Sequence, residues 1–284
     1  MAIEHPVGRY ELCNICNLDE TPIPFEYLQG KTYNILGAKT VWVKESRSGW
    51  DKRQASLVLC VFADGIPRIP PIIIFHGTGA RLGAEKLRYH SGFLIEYNAT
   101  AYMNDSLFER YITNHVVPVL GGPPTLFTLD LMGSHKTPAV LKLLRNNNIT
   151  PSLIPAGCTS QVQPLDVSIN KRFKELMRDL TDEKICELES AADFEKWTIG
   201  DQRVMTTYCV GEVDAQFHAE KARVIVSSFR KLGLSLPIDR SWDHELDIKR
   251  FENLEIGNGR EDLGSLDDRA DVGLEGDEVI EFLN

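Results

Sequence analysis

Apolar and polar residues change their rhythm partway along the chain. Residues 11–18 form a mostly apolar run that gives way to Asp19-Glu20-Thr21-Pro22, which reads as a turn-like stop. Residues 40–43 and 55–62 are rich in β-branched and aromatic side chains and predict strands. Ala63-Asp64-Gly65 predicts a turn, and residues 72–75 predict a further strand. From residue 105 the period lengthens. Leu107, Phe108, Tyr111, Ile112 and His115 recur at helical spacing over 105–117, and Pro118 is expected to end that helix. Residues 126–129 predict a buried strand that stops at Asp130. Thr137-Pro138 predicts a helix start, a capping residue followed by proline at the first helical position, and the helix runs on to Asn146. Residues 152–154 predict a short strand closed by Pro155. Residues 165–180 predict an amphipathic helix with Val167, Ile169, Phe173, Leu176 and Met177 on its apolar side. A later helix is expected over 213–232, ending near Leu232-Gly233.

Antiparallel strands followed by alternating helices and strands define an α/β chain, a mixed sheet flanked by helices. The expected organisation is a core over residues 11–180, a helical C-terminal extension of the same domain over 181–256, and a tail over 257–284 whose glycines and acids predict disorder.

Composition narrows the class. A length of 284 residues suffices for a sizeable core, and 43% hydrophobic with 25% charged residues is ordinary for a soluble globular protein. Apolar stretches such as residues 70–75 are far too short to span a bilayer, and the first six residues lack the basic start and apolar run of a signal peptide. An intracellular chain with no membrane partner is expected. Its cysteines at 13, 16, 60, 158, 186 and 209 are then reduced thiols. Cys13-Asn14-Ile15-Cys16 offers half of a zinc site, but no second CxxC or His pair completes the four ligands that structural zinc takes.

The formal charge of −10 argues against a nucleic-acid partner until it is located. From Glu252 onward 11 acidic residues face only Arg260 and Arg269, a net of −9, so residues 1–251 hold 29 basic against 30 acidic residues. The body is close to neutral and can carry a basic groove.

Three aspartates are the candidate chemistry. Asp19 and Asp130 each follow directly on an apolar run, and Asp166 opens a helix. Any one alone is more readily a turn former. Carboxylates gathered at one edge of a sheet instead make a hard, oxygen-rich site suited to Mg²⁺ or Mn²⁺, whose charge offsets their mutual repulsion.

Asn17-x-Asp19-Glu20-Thr21-Pro22, Asp130 followed by Ser134-His135, and Pro155-x-x-x-Thr159-x-x-x-Gln163-Pro164-Leu165-Asp166 resemble the marks of DDE-type transposases. The group they resemble is that of the pogo and Tigger elements with their jerky and centromere protein B relatives. Asp64-Gly65 with residues 70–75, and Ser227-Ser228-Phe229 before Gly233, fit the same pattern, so the similarity covers residues 11–235. The resemblance implies an RNase H-like fold and an acidic triad of Asp19, Asp130 and Asp166, with 35 residues between the last two. It further implies catalysis with two Mg²⁺ or Mn²⁺ ions about 3.5–4 Å apart, one activating water or a 3′-hydroxyl and the other stabilising the leaving oxygen. The products would be cut DNA strands and, in a complete transposase, strand transfer. DNA is the expected partner, with self-association on DNA and a nuclear location.

The pattern also has departures. Leu131-Met132-Gly133 follows Asp130 where many relatives carry small or polar residues. Residues 1–10 leave no room for the helix-turn-helix domains that read transposon ends, so a catalytic body without that front end is expected. A catalytically inactive, domesticated DNA- or chromatin-binding protein is the alternative, and an RNase H-like nuclease acting on RNA or hybrids is a third reading.

Around the triad, His135 either orients water at the metal or touches a phosphate, or it serves only helix capping and packing. Gln163 either contacts substrate or forms a turn before proline. Glu20 is expected to point away from Asp19 along a strand. Lys171, Arg172, Lys174 and Arg178 give the helix after Asp166 a basic face, for phosphate contact or for solvation. Residues 77–83 do not keep GxGxxG spacing and no clear helix opens there; with Arg81, Lys86, Arg88 and His90 nearby, a mobile loop near DNA is expected.

Overall fold

The computed structural model describes residues 7–24, 55–80, 82–187 and 197–249. The strand expected over 40–43, Arg81 and the acidic tail lie outside the described residues. Strands β1 (Ile15–Ile23), β2 (Ala55–Phe62) and β3 (Ile72–His76) form an antiparallel meander. On the other side of β1, β5 (Thr125–Leu129) and β6 (Ile149–Leu153) add parallel to it and to each other. A meander followed by two parallel strands beyond its first member is the RNase H-like arrangement. A short strand β4 (Leu94–Asn98) extends it at the β3 edge, giving the order β4-β3-β2-β1-β5-β6.

Every residue of β2 is buried, because helices cover both faces of the sheet. Leu57, Leu59 and Val61 face a core shared with α3 (Asn170–Cys186) and α4 (Ile199–Lys231). Val58, Cys60 and Phe62 face the opposite core with α1 (Asp105–Tyr111) and α2 (Pro138–Asn146). Local caps agree with the sequence at the helix starts. Thr137 accepts from the Val140 N–H ahead of Pro138, and Asn104 accepts from Leu107 ahead of α1.

The structure corrects three expectations. Asp19-Glu20-Thr21-Pro22 is not a stop: β1 runs through it to Ile23, held by pairing with β2 as far as Ala55. Ile15 accepts from Ala63, and the alternation from there turns Pro22 away from β2, where its missing N–H costs no ladder bond. Pro118 does not end the helix of 105–117 either. A π turn over Ile112–Val116 follows α1, and the chain then completes one more turn, Val117–Leu120. The wider turn separates the proline ring from the carbonyls that a regular helix would drive into it. The late helix also starts well before 213, at a capping box between Thr198 and Asp201. No described helix is long and apolar enough to cross a membrane.

Candidate carboxylate site

β1 and β5 pair only through Ile15–Leu126, Cys16–Phe127 and Asn17–Thr128, and then part. Carrying that register two residues further brings Asp19 and Asp130 to the same level, just beyond the carboxyl end of β5. Asp166 arrives from a π turn, Leu165–Ile169, that leads into α3. One turn on, Asn170 donates from Nδ2 to Asp19 Oδ2 at 2.7 Å and more distantly to Asp166 Oδ1 at 3.4 Å.

The electrostatics record the convergence. Burial, then the Asp166 charge, push the Asp19 carboxyl up to about 7; the Asn170 bond opposes this and Asp130 adds to it. Asp130 is treated differently. Burial raises its carboxyl, but His135 holds it below the ordinary carboxylate range, with help from the Met132 N–H. The His135 Nδ1 to Asp130 Oδ1 distance is 2.5 Å, and an ionised carboxylate only accepts, so Nδ1–H is the donor. The imidazole is almost wholly buried against Phe108, with ring centroids 4.4 Å apart, and so cannot touch a phosphate directly. Its place is behind Asp130. Asp166 is exposed.

Glu20 points the other way, as strand alternation requires, and accepts from the Met103 N–H. Gln163 is fully buried, so it offers no surface to a substrate; its side-chain amide has no hydrogen-bond partner among the described residues. The basic residues of α3 divide. Lys174 is half-buried and feels both Asp19 and Asp166, while burial draws its ammonium pKa down. Lys171 and Arg172 line a separate groove with Phe217 and Lys221 of α4, a groove that the acids Glu175 and Asp179 line as well. The segment after residue 81 is tied to α4, with Arg88 on Asp201 at 2.9 Å and Glu85 on Arg203 at 2.6 Å.

Sequence reasoning missed Asn170. Its signal was available, since Asp166, Asn170 and Lys174 fall at successive i+4 positions on one helix face. All six cysteines are free thiols. Among the described residues no three His, Cys, Asp or Glu side chains stand together at metal-holding spacing. The donor set nonetheless suits a hard divalent cation: oxygen ligands only, mutually repelling, with the Asn170 amide between two of them.

The sequence profile of the DDE superfamily endonucleases matches residues 52–208, more than half of the chain, and the chain belongs to that family. The matched span includes Asp130 and Asp166 and begins after Asp19. The mouse (Mus musculus) "Pogo transposable element with KRAB domain" is 31% identical over 172 residues, 60% of this chain and 27% of its own length. The human (Homo sapiens) "Pogo transposable element with ZNF domain" is 26% identical over 136 residues, 44% of this chain and 9% of its own length. The chain thus spans about a quarter or less of these curated relatives. Among solved structures, a Mos1 transposase paired-end complex with left transposon end is similar at a TM-score of 0.46 and 16% identity, over 83% of this chain and 55% of that one. A Mos1 mariner paired end complex with Mn gives 0.44 and 16% over the same shares.

Proposed function

We propose that this chain is the catalytic body of a metal-dependent DNA endonuclease or transposase, with Asp19, Asp130 and Asp166 holding Mg²⁺ or Mn²⁺. What carries the reading is that Asp19, just past the last paired residues of β1 and β5, lies within electrostatic reach of both Asp130 and Asp166. Membership of the DDE endonuclease family and relatives named as pogo transposable elements support it.

Bound divalent ions would supply Lewis-acid activation of water or a hydroxyl and stabilisation of the leaving oxygen at a phosphodiester. The residues do the rest. Asp19 supplies a buried carboxylate, His135 fixes the carboxylate of Asp130, and Asp166 supplies an exposed one. Asn170 sets the spacing of Asp19 and Asp166, and Lys174 offsets part of their charge. The carboxylates act as ligands and not as covalent nucleophiles.

The test is Mg²⁺- or Mn²⁺-dependent cleavage of duplex and nicked DNA by wild type and Asp130→Asn. The variant is expected to cleave about a hundredfold more slowly. Equal cleavage by both removes the catalytic reading, and no cleavage by either favours a non-enzymatic DNA-binding protein. Duplex DNA should also engage the groove of Lys171 and Arg172. Reversing both charges should weaken binding alike on all sequences and flatten its salt slope by about two, one for each lost phosphate contact. An unchanged slope assigns that groove no DNA.

A further inference from the structure

Asn17 stands where the sheet divides, as the last residue of β1 paired with β5. It is completely buried in a strand, a place that disfavours asparagine and that an apolar side chain would fill as well. Its two polar atoms reach two other elements. Nδ2 donates to the Thr128 carbonyl of β5 at 3.0 Å, and Oδ1 accepts from the Leu165 N–H at 3.2 Å. Leu165 opens the π turn and has one of the N–H groups that a helix start leaves without an internal partner; no side chain at Pro164 caps it. Asn17 provides that cap from the neighbouring strand.

The three elements so joined are the ones that carry the acids. Asp19 is two residues beyond Asn17, Asp130 two beyond Thr128, and Asp166 one beyond Leu165. Ser228 of α4 steadies the same turn from its other side, donating to the Pro164 carbonyl at 3.3 Å. We propose that Asn17 is a positioning residue: its amide fixes the separation of the three carboxylates and thereby sets their affinity for divalent cations. This rests on the carboxylate reading above. Outer-shell groups that orient metal ligands act in this way, and losing one weakens metal binding about 10- to 100-fold.

The test uses the full chain with Asn17→Leu, of similar volume and better suited to a strand, and with Asp166→Asn in parallel. Mn²⁺ affinity is measured by calorimetry without DNA, beside thermal melts. Asn17→Leu is expected to stay folded and to bind Mn²⁺ about 10- to 100-fold more weakly, with DNA cleavage partly restored by raising Mn²⁺. Weak Mn²⁺ binding by Asp166→Asn with wild-type binding by Asn17→Leu overturns the positioning role and leaves the carboxylate reading intact. A lower melting temperature with unchanged Mn²⁺ affinity also overturns it, because a merely structural bond would behave so. Unchanged binding in both variants removes the carboxylate reading and this inference with it. Should Asn17→Leu not fold, amide hydrogen exchange on the wild type decides: the Leu165 N–H should exchange as slowly as the core of β1, and fast exchange overturns the proposal.

Discussion

Asp19→Asn is expected to stabilise the metal-free protein at about pH 8 and, in the same molecule, to slow metal-dependent DNA cleavage by about a thousandfold. Both effects come from one charge. Burial and then the neighbouring Asp166 push the Asp19 carboxyl up to about 7, against the pull of the Asn170 bond and with a smaller push from Asp130. In the unfolded chain the same group titrates near its ordinary value of about 3.9. An acid raised in the fold stabilises only while it holds its proton there. That contribution is complete below about pH 4, fades as the pH rises, and is gone above about pH 7. Wild type should therefore lose a few kcal/mol from this group over that window, and the asparagine variant should not. Melting curves in chelator should converge at low pH and separate above neutrality. The same negative charge is what a divalent cation requires, and a metal contributes several kcal/mol to the transition state, where each 1.36 kcal/mol is a factor of ten. Mn²⁺ should raise the melting temperature of wild type at about pH 8 and leave the variant unmoved. A variant that melts like wild type in chelator, or cleaves DNA at the wild-type rate, contradicts this account.

The sequence was readable wherever one local force dominated. β2, apolar except at Ser56, and β3, apolar up to His76 at its exposed end, read as strands because helices cover both faces of the sheet. Asp130 and Asp166 fall at element boundaries for equally local reasons. The errors lie where a distant partner overrides a local signal. Asp19-Glu20-Thr21-Pro22 has the composition of a turn, and only pairing with β2 keeps it extended. β4 has no inside-outside alternation, since all five of its residues are partly covered at a sheet edge. Lys171, Arg172 and Lys174 look like one basic face, but at about 100° per residue Arg172 falls nearly opposite Lys174, and Lys171 is exposed where Lys174 is half-buried beside Asp19 and Asp166. Asn17 was visible as part of a motif without a reason for being there. Its two bonds cross 111 and 148 residues of chain, and no periodicity announces a contact of that range.

Phe217→Ala should cost about 3–5 kcal/mol, enough to remove much of the stability of an ordinary domain. Phe217 is 2% exposed and its ring lies 6.0 Å from that of Phe173, tilted by 49°. The pair joins α4 to α3 over the face of the sheet that carries Ile15, Leu57 and Leu59. Truncation leaves a cavity that the sheet cannot collapse into, because β2 is held from its other side by α1 and α2. Double substitution of Phe173 and Phe217 should fall short of additivity by about 0.5–1.5 kcal/mol, the contribution of the ring pair itself. The effect should also reach the carboxylates. Phe173 lies one helical turn beyond Asn170, on the helix that also carries Lys174 and follows directly on Asp166, so a loosened α3 loosens their approach to Asp19. Chemical denaturation measures the first effect and Mn²⁺ titration of the still-folded variant the second. If α4 were only an appendage to a self-sufficient core, Phe217→Ala would cost little and leave Mn²⁺ affinity unchanged. A fully buried ring at the junction of both helices with the sheet requires the opposite.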